Sequence, residues 1–314
     1  MSITFAAMSE WTDAVANLTQ LPEIGYRYLS SAPIFRAFGI PQRVPLGVTK
    51  VKWTDGATSD IPAATAGMAY TGIVGLVNDS FNIDMGVVAA PAAVDLGTEL
   101  MGPSFGQQSS MSIAIASIYD KWVYQLLVGT GDGNDYDLWS ANEICDNEDT
   151  AIGTATMHIS GSYSHAEFSA DKSLVLDVME QATSVLPTGD GSYNVCLCGP
   201  VWLKNIKREI RKVGGNTASG LAEENYGMGV LMHDGVLYLP TRHLAQVYSE
   251  QSKTYVFNVG PSGCSLIVPD TDMFYIQGPK YTEGNLNTSW DLALCSNIIA
   301  KSPRSVVELK QIAF

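Results

Sequence analysis

The chain has 314 residues, 46% of them apolar, enough for a large buried core in one domain or two. Its 18 basic residues stand against 32 acidic ones, and the net charge of −14 argues against a reader of nucleic-acid sequence, because phosphate contact needs cations. The opening MSITFAAMSEW lacks the basic and apolar stretches of a secretory signal, and no apolar run reaches the roughly 18 residues of a membrane span, so a soluble protein made in cytosol is expected.

Ser9 is placed to cap a short helix with Glu10 and Asp13 in its first turn and Trp11, Val15 and Leu18 on one face. Pro22, Pro33, Pro41 and Pro45 then punctuate an otherwise apolar stretch. Each discourages helix in the residue before it, and the spacing predicts an extended arm. In residues 54–75, 14 of 22 side chains are Gly, Ala, Ser or Thr, too small to bury a core of their own. Before this segment VTKVKW puts Thr49, Val51 and Trp53 on one face, and LVNDSFNIDMGVV after it is similarly β-rich. The flanks predict a long two-stranded excursion that needs another surface to lie on; a plain surface loop is the other reading.

Residues 104–128 predict an amphipathic helix, with Met111, Ile115, Ile118, Trp122 and Leu126 on its buried stripe and GTGDGND as its stop. A second helix is predicted over 171–186, with Leu174, Val178, Ala182 and Val185 inward and Pro187 and Gly189 beyond its end. NVCLCG reads as a short buried strand. The third helix begins at Pro200 and places Leu203, Ile206, Ile210 and Val213 on one face before Gly214 and Gly215 end it. Its other face carries Lys204, Lys207, Arg208, Arg211 and Lys212, a solvated face or one that pairs with a neighbour's acidic surface. GVLYLP, KTYVFNV, CSLIVP, DMFYIQ, SWDLALCSNII and SVVELKQIAF then read as strands, the fifth with Trp290, Leu292 and Leu294 on its buried side. Strands do not alternate regularly with helices, so the class is α+β and a doubly wound nucleotide fold is disfavoured.

The acidity is concentrated in the middle. Between Val51 and Pro200, three basic residues (Lys52, Lys121, Lys172) face nineteen acidic ones, a balance of −16.

Catalytic patterns are few. GPSFG, with Ser104 at its centre, matches the G-x-S-x-G elbow of serine hydrolases, but DLGTELM before it is polar and broken where that motif needs a buried strand. With Pro103 beside it, Ser104 is expected to be a helix cap. Asp132, Asn134 and Glu143 occupy positions 1, 3 and 12 of a calcium loop, yet Tyr136 and Asp137 stand where a ligand and an obligatory glycine belong. His158, His165, His233 and His243 have no ligand spacing. Cys145, Cys196, Cys198, Cys264 and Cys295 are odd in number and lack C-x-x-C spacing, so they read as small buried apolar residues rather than disulfides or zinc ligands. No catalytic, cofactor-binding or metal-binding residue is assigned.

Read in order, the elements resemble the major capsid proteins of tailed bacteriophages, the Hong Kong 97-type fold. YDKWVYQLLVGTGDGNDYDLW is similar to the end of that family's spine helix and its glycine turn. DKSLVLDVMEQATSVL followed by YNVCLCGPVWLKNIKREIRKVGG resembles its helix, strand and helix ending in glycine. GVLYLPTRHL looks like its strand with a Pro-Thr turn, and SNIIAKSPRSVVELKQIAF like its closing strands.

The resemblance implies an N-terminal arm at 1–45, an E-loop at 46–90, a peripheral domain with the spine helix at 91–165, an axial domain at 166–284 and return strands to the peripheral domain at 285–314. It implies a non-enzymatic shell subunit in the virion, made in the host cytoplasm, that assembles into pentamers and hexamers around double-stranded DNA. The partners it implies are a portal, a decoration protein in some members, and the packaged DNA as a non-specific neighbour; no membrane and no cofactor are involved. Because the chain lacks the helical scaffolding segment with which many members begin, a separate scaffolding protein is expected. The acidic middle would then suit an inner wall that repels DNA. An encapsulin shell, and more distantly a serine hydrolase or a calcium-dependent binding protein, are the alternatives.

Overall fold

A computed structural model describes residues 32–45, 49–56, 76–95, 103–133, 136–146, 158–160, 171, 174–186, 191–212, 230–244, 253–261, 263–281, 287–302 and 305–310. The helix expected after Ser9 and residues 57–75 lie outside them.

The first described element corrects an expectation. Residues read as extended arm form a helical turn, α1 (Pro33–Ala37), whose Ile34, Phe35 and Ala37 are buried together with the following Phe38. Pro33 stands at the start of the turn, where its missing N–H is not needed. Its restriction falls instead on Ala32, which is extended at φ −67° and ψ 132°. After β1 (Gln42–Val44), β2 (Thr49–Gly56) pairs antiparallel with β3 (Leu76–Ile83), in register from Thr49 opposite Ile83 to Gly56 opposite Leu76. Neither pairs with another strand among the described residues. This is the two-stranded excursion. A corner at residues 84–86 leads into β4 (Val87–Asp95), which belongs to a different sheet.

The long helix α2 (Pro103–Val128) buries Met111, Ile115, Ile118, Trp122 and Leu126 as their spacing demanded, and Ala114, Val123 and Leu127 widen the stripe. It starts one residue before the expected cap: Pro103 is its first residue, so Ser104 lies inside the first turn. A short helix, α3 (Ala141–Asp146), follows the glycine turn and is capped by Ser140, whose Oγ accepts a hydrogen bond from the Glu143 N–H at 3.2 Å. After β5 (His158–Ser160), α4 (Leu174–Val185) is shorter than 171–186, and it buries Val175, Val178, Met179 and Ala182. Its stripe is thus turned toward Val175 and Met179, leaving Leu174 and Val185 half-buried at its margins. Between β6 (Tyr193–Cys198) and β7 (Leu231–His233), α5 (Pro200–Lys212) buries Leu203, Ile206 and Ile210 as expected, and also Trp202, Asn205 and Glu209. β7 turns into β8 (Val236–Pro240) through Asp234 and Gly235, both at positive φ (48° and 74°), as a two-residue hairpin turn requires. A 3-10 turn (Arg242–Leu244), β9 (Thr254–Val259), β10 (Cys264–Pro269), β11 (Phe274–Tyr281), β12 (Asn287–Cys295), β13 (Asn297–Ala300) and β14 (Val306–Lys310) complete the chain order.

Among the described residues the largest sheet runs β1-β10-β9-β6-β8-β7, with β13 on β10 and β14 between β9 and β5. Its pairing is mixed: β6 is parallel to β8 and antiparallel to β9. The sheet divides two apolar layers, because alternate side chains on one strand point to opposite faces. Val195, Leu197, Leu237, Leu239, Tyr255 and Phe257 join α1 and α2 on one side. Cys196, Cys198, Val236, Tyr238, Val256, Val307 and Leu309 meet α4 and α5 on the other. A second sheet, β11-β12-β4, lies along α2, with Trp290, Leu292 and Leu294 buried as their alternation required.

Candidate functional site

The patterns that suggested chemistry do not converge. Ser104 sits within the first turn of α2, whereas a nucleophile elbow needs its serine on the strand-to-helix turn itself. Asp132 pairs with Trp139 in an isolated β-bridge, Glu143 is held in α3, and Asn134 lies outside the described residues. Among the described residues no cluster of three His, Cys, Asp or Glu has a metal-holding arrangement. Cys145, Cys196, Cys198 and Cys264 are buried free thiols. Burial raises the pKa of Cys196, Cys264 and Cys295, keeping the thiols protonated and unreactive, which fits their reading as apolar fillers.

One polar cluster was not legible beforehand. His243, on the 3-10 turn after β8, has its Nε2 2.9 Å from Asp120 Oδ1 on α2, and Arg242 places a guanidinium nitrogen 2.5 Å from Asp120 Oδ2. The Arg242 hydrogen bond, followed by that of His243, holds the Asp120 carboxyl below its usual range against the opposing effect of burial. Tyr124 packs edge-on against the His243 ring at 5.6 Å. The group links the long helix to the large sheet.

A second constellation holds the root of the β2–β3 hairpin. Asn297 is fully buried, and its Oδ1 accepts from the N–H groups of Trp139 and Ile298, both at 2.8 Å. Its Nδ2 donates to the carbonyls of Asp84 at 2.7 Å and Asp137 at 3.2 Å. One amide therefore ties the end of the hairpin, the glycine turn after α2 and β13 together. The Asp84 N–H donates to Gly133 O at 2.7 Å, and the Ser296 N–H to Gly86 O at 3.0 Å. Trp122 Nε1 adds a buried bond to Ser296 Oγ at 3.0 Å. Gly131 is required here, because a Cβ would lie 2.3 Å from Leu138 O. The arrangement fixes where the β2–β3 hairpin, which among the described residues pairs with no other strand, leaves the body.

A mixed sheet flanked by two helices, a second sheet along a long helix, and a projecting hairpin define the Hong Kong 97-type capsid fold, as the resemblance implied. No family model and no curated protein sequence matches the chain. Solved structures do. An encapsulin, from the holo-SrpI complex of Synechococcus elongatus, has 10% identity over 90% of this chain and 89% of that one, at a TM-score of 0.60. The capsid of a native GTA particle, computed with C5 symmetry, shares 12% identity over 90% and 91%, at 0.60. The capsid of cyanophage P-SCSP1u shares 14% over 90% and 89%, at 0.53. The likeness runs nearly end to end in each pair and is a likeness of fold.

Proposed function

We propose that the chain is a major capsid protein that self-assembles into the icosahedral head of a tailed phage and encloses double-stranded DNA, with no catalytic role of its own. The observation that carries this is the end-to-end fold match to shell-forming chains by a subunit whose β2–β3 hairpin has, among the described residues, no strand partner besides itself. Such a ribbon is marginal alone and gains order against a neighbouring copy. On this reading 1–45 is the N-terminal arm, with the α1 turn in it, 46–90 the E-loop, 91–165 with 285–314 the peripheral domain, and 166–284 the axial domain. Pentamers and hexamers are the expected rings, and a portal, a scaffolding protein and a decoration protein the expected partners in a head.

The SrpI match favours one second reading, an encapsulin compartment. Electron microscopy of the purified full chain tests both. Closed icosahedral particles are expected; material that stays monomeric in the ultracentrifuge at assembly concentrations, with a cognate scaffold present, would refute a shell. DNA and a portal vertex in particles from the native source favour the phage reading, whereas a captured enzyme favours the compartment.

A further inference from the structure

Helices α4 and α5 lie side by side on one face of the large sheet, α4 over β14 and β5 and α5 over β8. They therefore occupy opposite flanks of that layer, since β5 and β8 lie on opposite sides of β9 and β6. Their exposed faces carry opposite charge. On α5, Lys204, Arg208, Arg211 and Lys212 are exposed at helical spacing, with Val201 at 42% exposure at the head of the stripe. On α4, Asp177 and Glu180 are exposed together with Gln181 and Ser184, and the helix has no basic residue.

The acidic residue of α5 is turned inward. Glu209 is buried, with Arg208 Nε at 3.1 Å and Lys212 Nζ at 2.9 Å, and both cations stay about half exposed. Burial opposes its ionisation, but the Lys212 and Arg208 bonds outweigh that and hold its pKa low, so it stays charged and anchors the two cations along the helix. The exposed charged side chains of α5 are therefore all basic, on a chain of net charge −14.

We infer that the basic face of α5 docks on the acidic face of α4 of a second copy, as the head-to-tail contact of a ring. The inference rests on the shell reading above and names the surface that closes it. Copies related by rotation present one flank of each to the opposite flank of the next. Opposite charge on those flanks fixes orientation and disfavours contacts between like faces. The stripes are too exposed to contribute much to the stability of the monomer, where surface pairs are weak and salt screens them.

The test uses the full chain in three charge variants: Lys204→Glu with Arg211→Glu on α5, Asp177→Lys with Glu180→Lys on α4, and all four together. Circular dichroism checks the fold and sedimentation measures rings and shells. Each one-sided reversal is expected to lower assembly about tenfold at low salt, and the fourfold swap to restore it to within about twofold. Should Arg211→Glu disturb folding, Lys204→Glu with and without Glu180→Lys reads the same coupling; should Lys204→Glu do so, Arg211→Glu with and without Glu180→Lys takes its place. One-sided variants that assemble as the native chain does overturn the docking while the shell reading stands. Folded variants that lose assembly and are not rescued by the swap show that the faces bind something else, and also overturn it. A native chain that forms no particles with its scaffold present overturns both readings.

Discussion

At the scale of single residues, the root of the hairpin depends on Asn297, because its carboxamide both donates twice and accepts twice at one buried point, which among the other side chains only the longer glutamine could do. Asn297→Ala leaves the Asp84 and Asp137 carbonyls and the Trp139 N–H short of partners in a dry site. A loss of about 2–4 kcal/mol is expected, read by chemical denaturation. Asn297→Asp keeps the acceptor but sets an oxygen against two carbonyls, so it should cost at least as much at neutral pH and recover part of the loss once acid protonates the carboxyl. Equal stability of the native chain and Asn297→Ala would show that the amide is not what holds the corner. None of this could be read from the sequence, where Asn297 looked like one polar residue within SWDLALCSNII. Its partners lie as far as 213 residues away, and spacing arguments reach only along one element.

Elements were legible where one periodicity governed them. The α2 stripe from Met111 to Leu126 is buried residue for residue, because a helix facing both a sheet and α1 has little freedom in which side it turns inward. On α4, apolar residues at 174, 175, 176, 178, 179 and 185 suit more than one stripe, and packing on β14 and β5 selected Val175 and Met179. The α1 turn is not visible in the proline spacing, because Pro33 starts a helical turn where a proline otherwise breaks helix. The latch between α2 and the turn after β8 joins residues 123 apart and lay beyond any local signal. It carries a pH prediction. The pKa of Asp120 is lower in the fold than in the unfolded chain, so its contribution is complete above about pH 4 and is lost as pH falls through the lower folded value. Asp120→Asn should therefore be less stable than the native chain at neutral pH, and the two should converge toward pH 2–3 in thermal melts. A difference that does not shrink in acid would mean that the carboxylate charge is not what the latch uses.

For the whole molecule, the order of elements along the chain was enough to suggest the fold, but the division of the large sheet into two apolar layers and the strand order were not, since both depend on pairings between distant segments. The acidic middle takes on two roles at this scale. Asp120 is consumed within the chain by Arg242 and His243, and Asp177 and Glu180 are assigned to a joint between copies. On the proposed reading, a wall that repels DNA would rest on other carboxylates, and Asp132 and Asp137 are among those exposed. The hairpin separates folding from assembly most directly. Gly56 stands opposite Leu76, so residues 57–75 can be deleted and the strands closed with a two-residue Asn-Gly turn without disturbing the register. The root held by Asn297 is left intact. The shortened chain should give the circular dichroism spectrum and melting behaviour of a folded subunit, because the paired strands and their root are kept, and yet form few or no particles, because on the shell reading a neighbour supports the removed segment. Loss of the fold would place the segment in the core, and particles in native yield would remove the hairpin tip from the assembly contact.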